Sequence, residues 1–183
     1  MEPPSFSLDS SLGRLACWLR LLGCDAACNK GDNLTVALAR ARSEGRILLT
    51  RSRDLQRLGL VGPLAGWRCI ESDLLDEQLV EVARSFPIFE RARPFTRCSR
   101  CNLSTQELPA TEARCKVPPF VAKTQQRFQQ CPSCRQIFWR ATHSRAILQR
   151  LRKAAYHAGK SLGLTAEEEN AGSGDPDPAL PEG

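Results

Sequence analysis

The sequence predicts an α/β domain, a small and mostly parallel sheet with flanking helices, followed by a cysteine-stapled module and a basic helix. Two observations carry this. Short apolar runs alternate with helical periodicities over residues 1–90, the pattern of a parallel sheet with crossover helices. Two CxxC pairs then stand in one later segment, Cys98-Ser-Arg-Cys101 and Cys131-Pro-Ser-Cys134, 29 residues apart.

Taken in order, Phe6-Ser-Leu-Asp9 reads as a short extended segment ending in an acid. Ser10 or Ser11 is placed to cap a helix whose apolar face is Leu12, Leu15, Ala16, Leu19 and Leu22, with Gly23 as its stop. Asp25–Cys28 reads as a second strand, and Asp32 or Asn33 as the cap of a second helix with Val36, Leu38 and Ala39 on its apolar side. Arg46–Thr50 is a buried-strand pattern, followed by a short helical piece to Leu60 and a turn at Gly62-Pro63. Trp67–Glu71 reads as a fourth strand, and Ser72 or Asp73 caps a helix carrying Leu75, Leu79, Val82 and Phe86, which ends at Pro87. Between the CxxC pairs, Val117-Pro-Pro-Phe-Val121 reads as extended; Ile137-Phe-Trp139 reads as a strand, and residues 143–158 as a helix. The division that follows is an α/β domain over 1–90, the cysteine module with its helix over 91–160, and a disordered acidic tail over 161–183.

A pair of thiolates spaced by two residues grips one ion from a tight turn, and two such turns complete the tetrahedral sulfur shell that zinc favours in structural sites. Cys98, Cys101, Cys131 and Cys134 are therefore read as the ligands of a structural zinc. Four thiolates leave no open position for a catalytic water. The other cysteines, Cys17, Cys24, Cys28, Cys69 and Cys115, read as thiols of a reducing compartment, cytoplasm or nucleus. His143 is read as a helix-start or packing residue.

The net charge of +6 is unevenly spread. All 26 Lys and Arg lie at or before Lys160, and six of the 20 acids lie after it, which leaves residues 1–160 at +12. So basic a body suits a polyanion such as RNA. No apolar run approaches the roughly 20 residues of a membrane span, and the N-terminus has no signal-peptide pattern. In parallel sheets, sites gather beyond the C-terminal strand ends. Asp9, Ser52, Asp54 and the group from Glu71 to Asp73 fall there, and Asp32 follows the second strand. Clustered acids offer the hard oxygen ligands that Mg²⁺ and Mn²⁺ prefer. Arg145, Arg150, Arg152 and Lys153 on the last helix are candidate phosphate contacts. Arg14 and Arg20 on the first helix, and Arg51, join them as candidate nucleic-acid residues.

Several stretches together resemble the Mut-seven C-terminal RNase domain family. They are Asp9 to Gly23, Gly45-Arg-Ile-Leu-Leu-Thr-Arg51, Glu77-Gln-Leu79, Cys98-Ser-Arg-Cys-Asn102, Val117-Pro118, Cys131-Pro-Ser-Cys134, Phe138-Trp139 and Thr142-His143. The resemblance implies a PIN-like nuclease fold joined to a zinc ribbon, and metal-dependent RNA cleavage. By position, Asp9 is similar to the family's acid after the first strand and Asp32 to the acid before the second helix. Where the family pattern has Thr-Arg-Asp, this chain reads Thr50-Arg51-Ser52, with Asp54 two residues on. Three readings stand: a ribonuclease using Asp9, Asp32 and Asp54, a weakly active or inactive RNA binder, and an adaptor built on the ribbon.

Overall fold

The computed structural model describes residues 2–29, 31–57, 59, 66–139 and 142–164. Four short strands, β1 (Ser5–Leu8), β2 (Asp25–Cys28), β3 (Ile47–Thr50) and β4 (Trp67–Cys69), form one sheet in the order β2-β1-β3-β4. Every pairing is parallel, so the sheet is fully rather than mostly parallel. Side chains alternate across it. Phe6, Leu8 and Leu49 point into one core, with Ala26 and Ile70. Leu48 points into the other, alongside the buried polar Ser7 and Thr50 two residues away on the same side.

Helices α1 (Gly13–Leu21), α4 (Leu75–Ser85) and α7 (Thr142–His157) cover the first face. Leu15, Ala16 and Leu19 of α1, Leu79 and Val82 of α4, and Leu151, Ala154 and Ala155 of α7 share its core. The last helix, grouped with the cysteine module by its place in the chain, thus packs into the core of the α/β layer. Helices α2 (Leu34–Ser43) and α3 (Asp54–Arg57) cover the other face through Ala37, Leu38, Ala41 and Leu55.

Several local expectations shift by a residue or two, each for a visible reason. Asp9, not Ser10 or Ser11, caps the first helical turn, Ser10–Leu12, by accepting from the Ser11 N–H at 3.0 Å. Asn33 caps α2 through the Val36 N–H at 2.9 Å, which leaves Asp32 outside the helix. The apolar side of α2 is Ala37, Leu38 and Ala41, while Val36 is exposed. No side chain caps α4, whose N-cap is Leu74; Ser72 Oγ instead accepts from the Leu74 N–H at 3.0 Å. The Gly62-Pro63 turn, Leu60, the side chain of His143 and the tail after Leu164 lie outside the described residues.

The cysteine module is a three-stranded antiparallel sheet, β5 (Gln106–Leu108), β6 (Phe128–Gln130) and β7 (Ile137–Trp139), with short helices α5 (Ala110–Ala113) and α6 (Pro119–Thr124) between β5 and β6. Residues 119–121 open α6 instead of running extended. Pro119 occupies the first helical position, where a missing N–H costs nothing and the fixed φ suits the helix. Leu108, Ala113, Val117, Phe128 and Ile137 make the module's own small core.

Candidate metal centres and their surroundings

The strand order β2-β1-β3 reverses direction at β1, and the crevice between β1 and β3 is where such sheets place their sites. Asp9 leaves β1 at this point. Its own N–H donates to Leu49 O on β3 at 3.1 Å, and its Oδ2 accepts from the Arg51 N–H at 2.8 Å. Its Oδ1 accepts from the N–H and the hydroxyl of Ser11. Burial alone pushes the Asp9 carboxyl up, but the hydrogen bonds from Ser11, Thr50 and the Arg51 N–H outweigh it and hold the pKa below the usual value of 3.8. Asp9 is thus a fixed, ionised acceptor at the switch point.

Asp9, Asn29, Asp32, Thr50 and Ser52 line one cleft of about 180 Å³ at this edge. Asn29 follows β2 and donates from Nδ2 to Ser7 Oγ at 2.7 Å. Asp32 Oδ2 is buried and accepts no aligned hydrogen bond, although Arg40 Nη1 stands 2.6 Å away as an ion-pair partner. Both observations hold together, because Arg40 Nη2 donates to the other oxygen, Oδ1, at 3.4 Å, while Nη1 compensates the charge at Oδ2 without an aligned N–H. Arg40 is about half exposed. The carboxylate, hydroxyl and amide oxygens in this lining are hard donors of the kind Mg²⁺ or Mn²⁺ prefers, beside the apolar Leu34, Ala37 and Leu48.

Asp54 does not line this cleft. Its Oδ2 accepts from Ser52 Oγ at 2.8 Å, its N–H donates back to Ser52 Oγ at 3.1 Å, and its other oxygen meets Arg57 at 3.1 Å. Ser52 stands between Asp54 and the cleft. Asn29 and Thr50 were not singled out by sequence. Their signal was position alone, each a polar residue at the C-terminal end of a strand.

The candidate basic residues scatter. Arg14, Arg150 and Lys153 line a groove of about 770 Å³ that also holds Asp73, Asp76, Glu77 and Glu81. Arg150 pairs with Asp76 at 2.6 Å and lies over the Trp18 ring at 4.9 Å. Arg51 is bound to Asp73 and to the carbonyls of Glu71 and Ser72. Arg152 and Lys153 are exposed, and Arg145 is half-buried. Arg20, expected on a nucleic-acid surface, is 8% exposed. Its Nε donates to Ala26 O at 2.8 Å, and Nη1 donates to Ser99 O and Arg100 O at 2.8 and 3.1 Å. This guanidinium is an internal strut between α1, β2 and the first cysteine turn, because the module covers what looked like the solvent side of α1.

The sulfurs of Cys98, Cys101, Cys131 and Cys134 all lie within 4.8 Å of one another, a four-cysteine cluster compatible with zinc. The two turns are built alike. The Asn102 N–H closes onto Cys98 O at 2.9 Å and the Arg135 N–H onto Cys131 O at 3.0 Å, with both residues at φ near +60°. Burial opposes ionisation at Cys131, but N–H groups of Cys134 and Ser133 outweigh it and bring the thiol down to about 7. At Cys98 burial dominates and pushes the thiol up to about 11. Asn102 also reaches out of its turn. Its Oδ1 accepts from the Ala26 N–H at 2.9 Å and its Nδ2 donates to Asp25 at 2.6 Å, while Arg46 holds Asp25 with two bonds of 2.8 and 3.0 Å.

A parallel α/β sheet with two acids in the cleft at its switch point is joined to a four-cysteine ribbon. The family described as the Mut7-C RNAse domain matches residues 4–151, and the chain belongs to that family. Among curated proteins and solved structures, none matches the chain. No described helix is long and apolar enough to cross a membrane.

Proposed function

We propose that the protein is a metal-dependent ribonuclease whose centre is the cleft of Asp9 and Asp32, with zinc holding the ribbon. The observation that carries this is that Asp9 and Asp32 line one cleft at the switch point of the sheet. A divalent ion there would activate water and offset charge on a phosphodiester. Asp9 and Asp32 would hold it, Thr50 and the Arg51 N–H keep the Asp9 carboxylate ionised and aimed, and Asn29 and Ser52 supply neutral oxygens. Asp54 acts as an outer acid through the Ser52 hydroxyl. The exposed Arg152 and Lys153 of the last helix would meet RNA phosphates, whereas Arg51 and Arg150 are paired with Asp73 and Asp76. Cys98, Cys101, Cys131 and Cys134 hold a structural zinc, and the remaining thiols suit the cytoplasm or nucleus.

A second reading has a specific observation behind it. Ser52 lines the cleft where the family pattern has an acid, so the site carries one charge fewer, and a weakly active or inactive RNA-binding protein is the outcome if two carboxylates do not suffice. Labelled single-stranded and structured RNA incubated with Mn²⁺ or Mg²⁺ separates the two. Cleavage lost in Asp9→Asn supports the nuclease. RNA retained without cleavage supports the binder, and no salt-sensitive RNA binding at all points to an adaptor.

A further inference from the structure

The ribbon sheet has two faces, and its own core uses only one. Phe128, Ile137 and Trp139 turn inward with Leu108. Phe138 therefore stands on the opposite face, paired across the strands with Gln129. It does not end in open solvent. It is half-buried and lines a cleft of about 500 Å³ between the ribbon, the end of α1 and the start of α7. That volume falls within the range of about 300–1,000 Å³ typical of small-molecule sites.

The walls combine aromatic faces, an amide and cations. Leu21, Phe95 and Phe138 supply apolar surface, Gln129 an amide, and Arg100 and Arg127 charge, while no carboxylate is among the described lining residues. The larger groove by Arg14 differs sharply, because four acids there balance its four Arg and Lys. Phe95 holds φ +63°, a conformation that is unusual for a bulky residue. It is fixed there by its N–H on Leu21 O at 3.0 Å. Gln129 Oε1 is taken by the Thr105 hydroxyl, so the donor end of its amide is what remains for a ligand.

We infer that this inter-layer cleft binds one nucleotide of a single-stranded RNA, with the base stacked on Phe138, its edge met by Gln129, and its phosphate held by Arg100. Stacking is sequence-tolerant, and the cation answers the backbone charge. The inference rests on the reading that RNA is the substrate, but it concerns a different place in the fold. It gives the ribbon a substrate-holding role that its closed sulfur shell cannot supply.

The test uses the full zinc-loaded chain without added Mg²⁺ or Mn²⁺, titrated into a labelled single-stranded RNA of about ten nucleotides. Phe138→Ala should weaken binding by about 5- to 150-fold, the range that loss of one base stack gives, and Phe138→Tyr should restore most of it. Arg100→Gln should lower the slope of log affinity on log salt by about 0.7, the value for one phosphate contact on a single strand, which keeps the inference testable should Phe138→Ala fail to fold. Zinc content and the unfolding midpoint check the fold of each variant. Wild-type affinity in folded Phe138→Ala, or an unchanged salt slope in Arg100→Gln, overturns the inference. RNA bound through Phe138 but never cleaved upholds it and sinks the nuclease. Cleavage with unaltered Phe138→Ala binding does the reverse.

Discussion

Arg20 donates from Nη1 to the Ser99 carbonyl at 2.8 Å across 79 residues of sequence. The bond joins the first helix to the first cysteine turn, and Nε of the same side chain holds Ala26 on β2. Together with the Asn102 carboxamide on Asp25 and Ala26, it fastens the ribbon to the edge of the parallel sheet. Three of the acceptors of Arg20 are backbone carbonyls, which a substitution at those positions does not remove.

Replacing Arg20 with Met keeps much of the apolar stem and strands the buried Ala26 carbonyl and the part-buried carbonyls of Ser99 and Arg100. Each unsatisfied group costs about 1–3 kcal/mol, and partial relaxation makes about 3 kcal/mol the expected loss in urea unfolding. A loss below about 0.5 kcal/mol would show that the strut contributes little.

Gly23 gives a second way to loosen the same joint. It ends α1 at φ +88°, and a Cβ there would lie 2.5 Å from the Arg93 carbonyl oxygen. The linker is close because it satisfies the last carbonyls of the helix, with the Arg93 N–H on Leu22 O at 2.8 Å and the Phe95 N–H on Leu21 O. Gly23→Ala should cost about 1–3 kcal/mol from the backbone conformation, with the clash in addition. Thermal unfolding beside Gly45→Ala, whose added Cβ meets nothing within 4 Å despite φ +65°, separates the two contributions.

These contacts mark the limit of what the sequence could show. Strands β1 to β4 and helices α1 and α4 were legible because apolar spacing at periods of 2 and 3.6 survives without tertiary information. The cysteine turns were legible from ligand spacing alone. Arg20 was not, because a cation on an amphipathic helix reads as solvent-facing until a second layer is known to cover it. Pro118-Pro119 misled in the other direction, since proline both extends a chain and starts a helix. Asp9 and Asp32 could be named from strand ends, but their meeting with Asn29 and Thr50 depends on the strand order.

The hydrogen bonds that hold Asp9 ionised make a pH prediction. The folded pKa lies below the unfolded value near 3.8, so the stabilisation is present above about pH 4 and is lost as pH falls through the folded pKa. Asp9→Asn keeps an oxygen for the Ser11 cap but loses the charge, and should be less stable by about 1–2 kcal/mol near neutrality. The gap to wild type should shrink as pH drops below about 4 in denaturant titrations. A constant gap from pH 7 to 3 would contradict this account.

Zinc removal reaches beyond the ribbon, because Ser99 and Arg100 lend their carbonyls to Arg20. Metal analysis should find about one zinc per chain, and the double variant Cys98→Ser, Cys131→Ser should find none. Chelation should lower the thermal midpoint of the α/β layer as well. Each ~1 kcal/mol lost moves a chain of this size by about 2–4 °C. A far-ultraviolet melt unchanged by chelation would mean that the two layers are stable independently.

Ser52 is the position where a single atom group decides the charge of the cleft. Its hydroxyl currently serves Asp54, donating at 2.8 Å to a carboxylate that faces outward beside Arg57. Ser52→Asp would end that donation and set a third carboxylate beside Asp9 and Asp32. Three acids near one another repel, so without metal the variant should be less stable than wild type by about 1 kcal/mol. A divalent ion relieves the repulsion, so Mn²⁺ should raise its midpoint more than that of wild type. RNA cleavage should rise in step if the missing charge limits the reaction. Stabilisation by Mn²⁺ without faster cleavage would place the limit elsewhere, in how the RNA is held. Equal response of both proteins to Mn²⁺ would show that Ser52 does not face the ion.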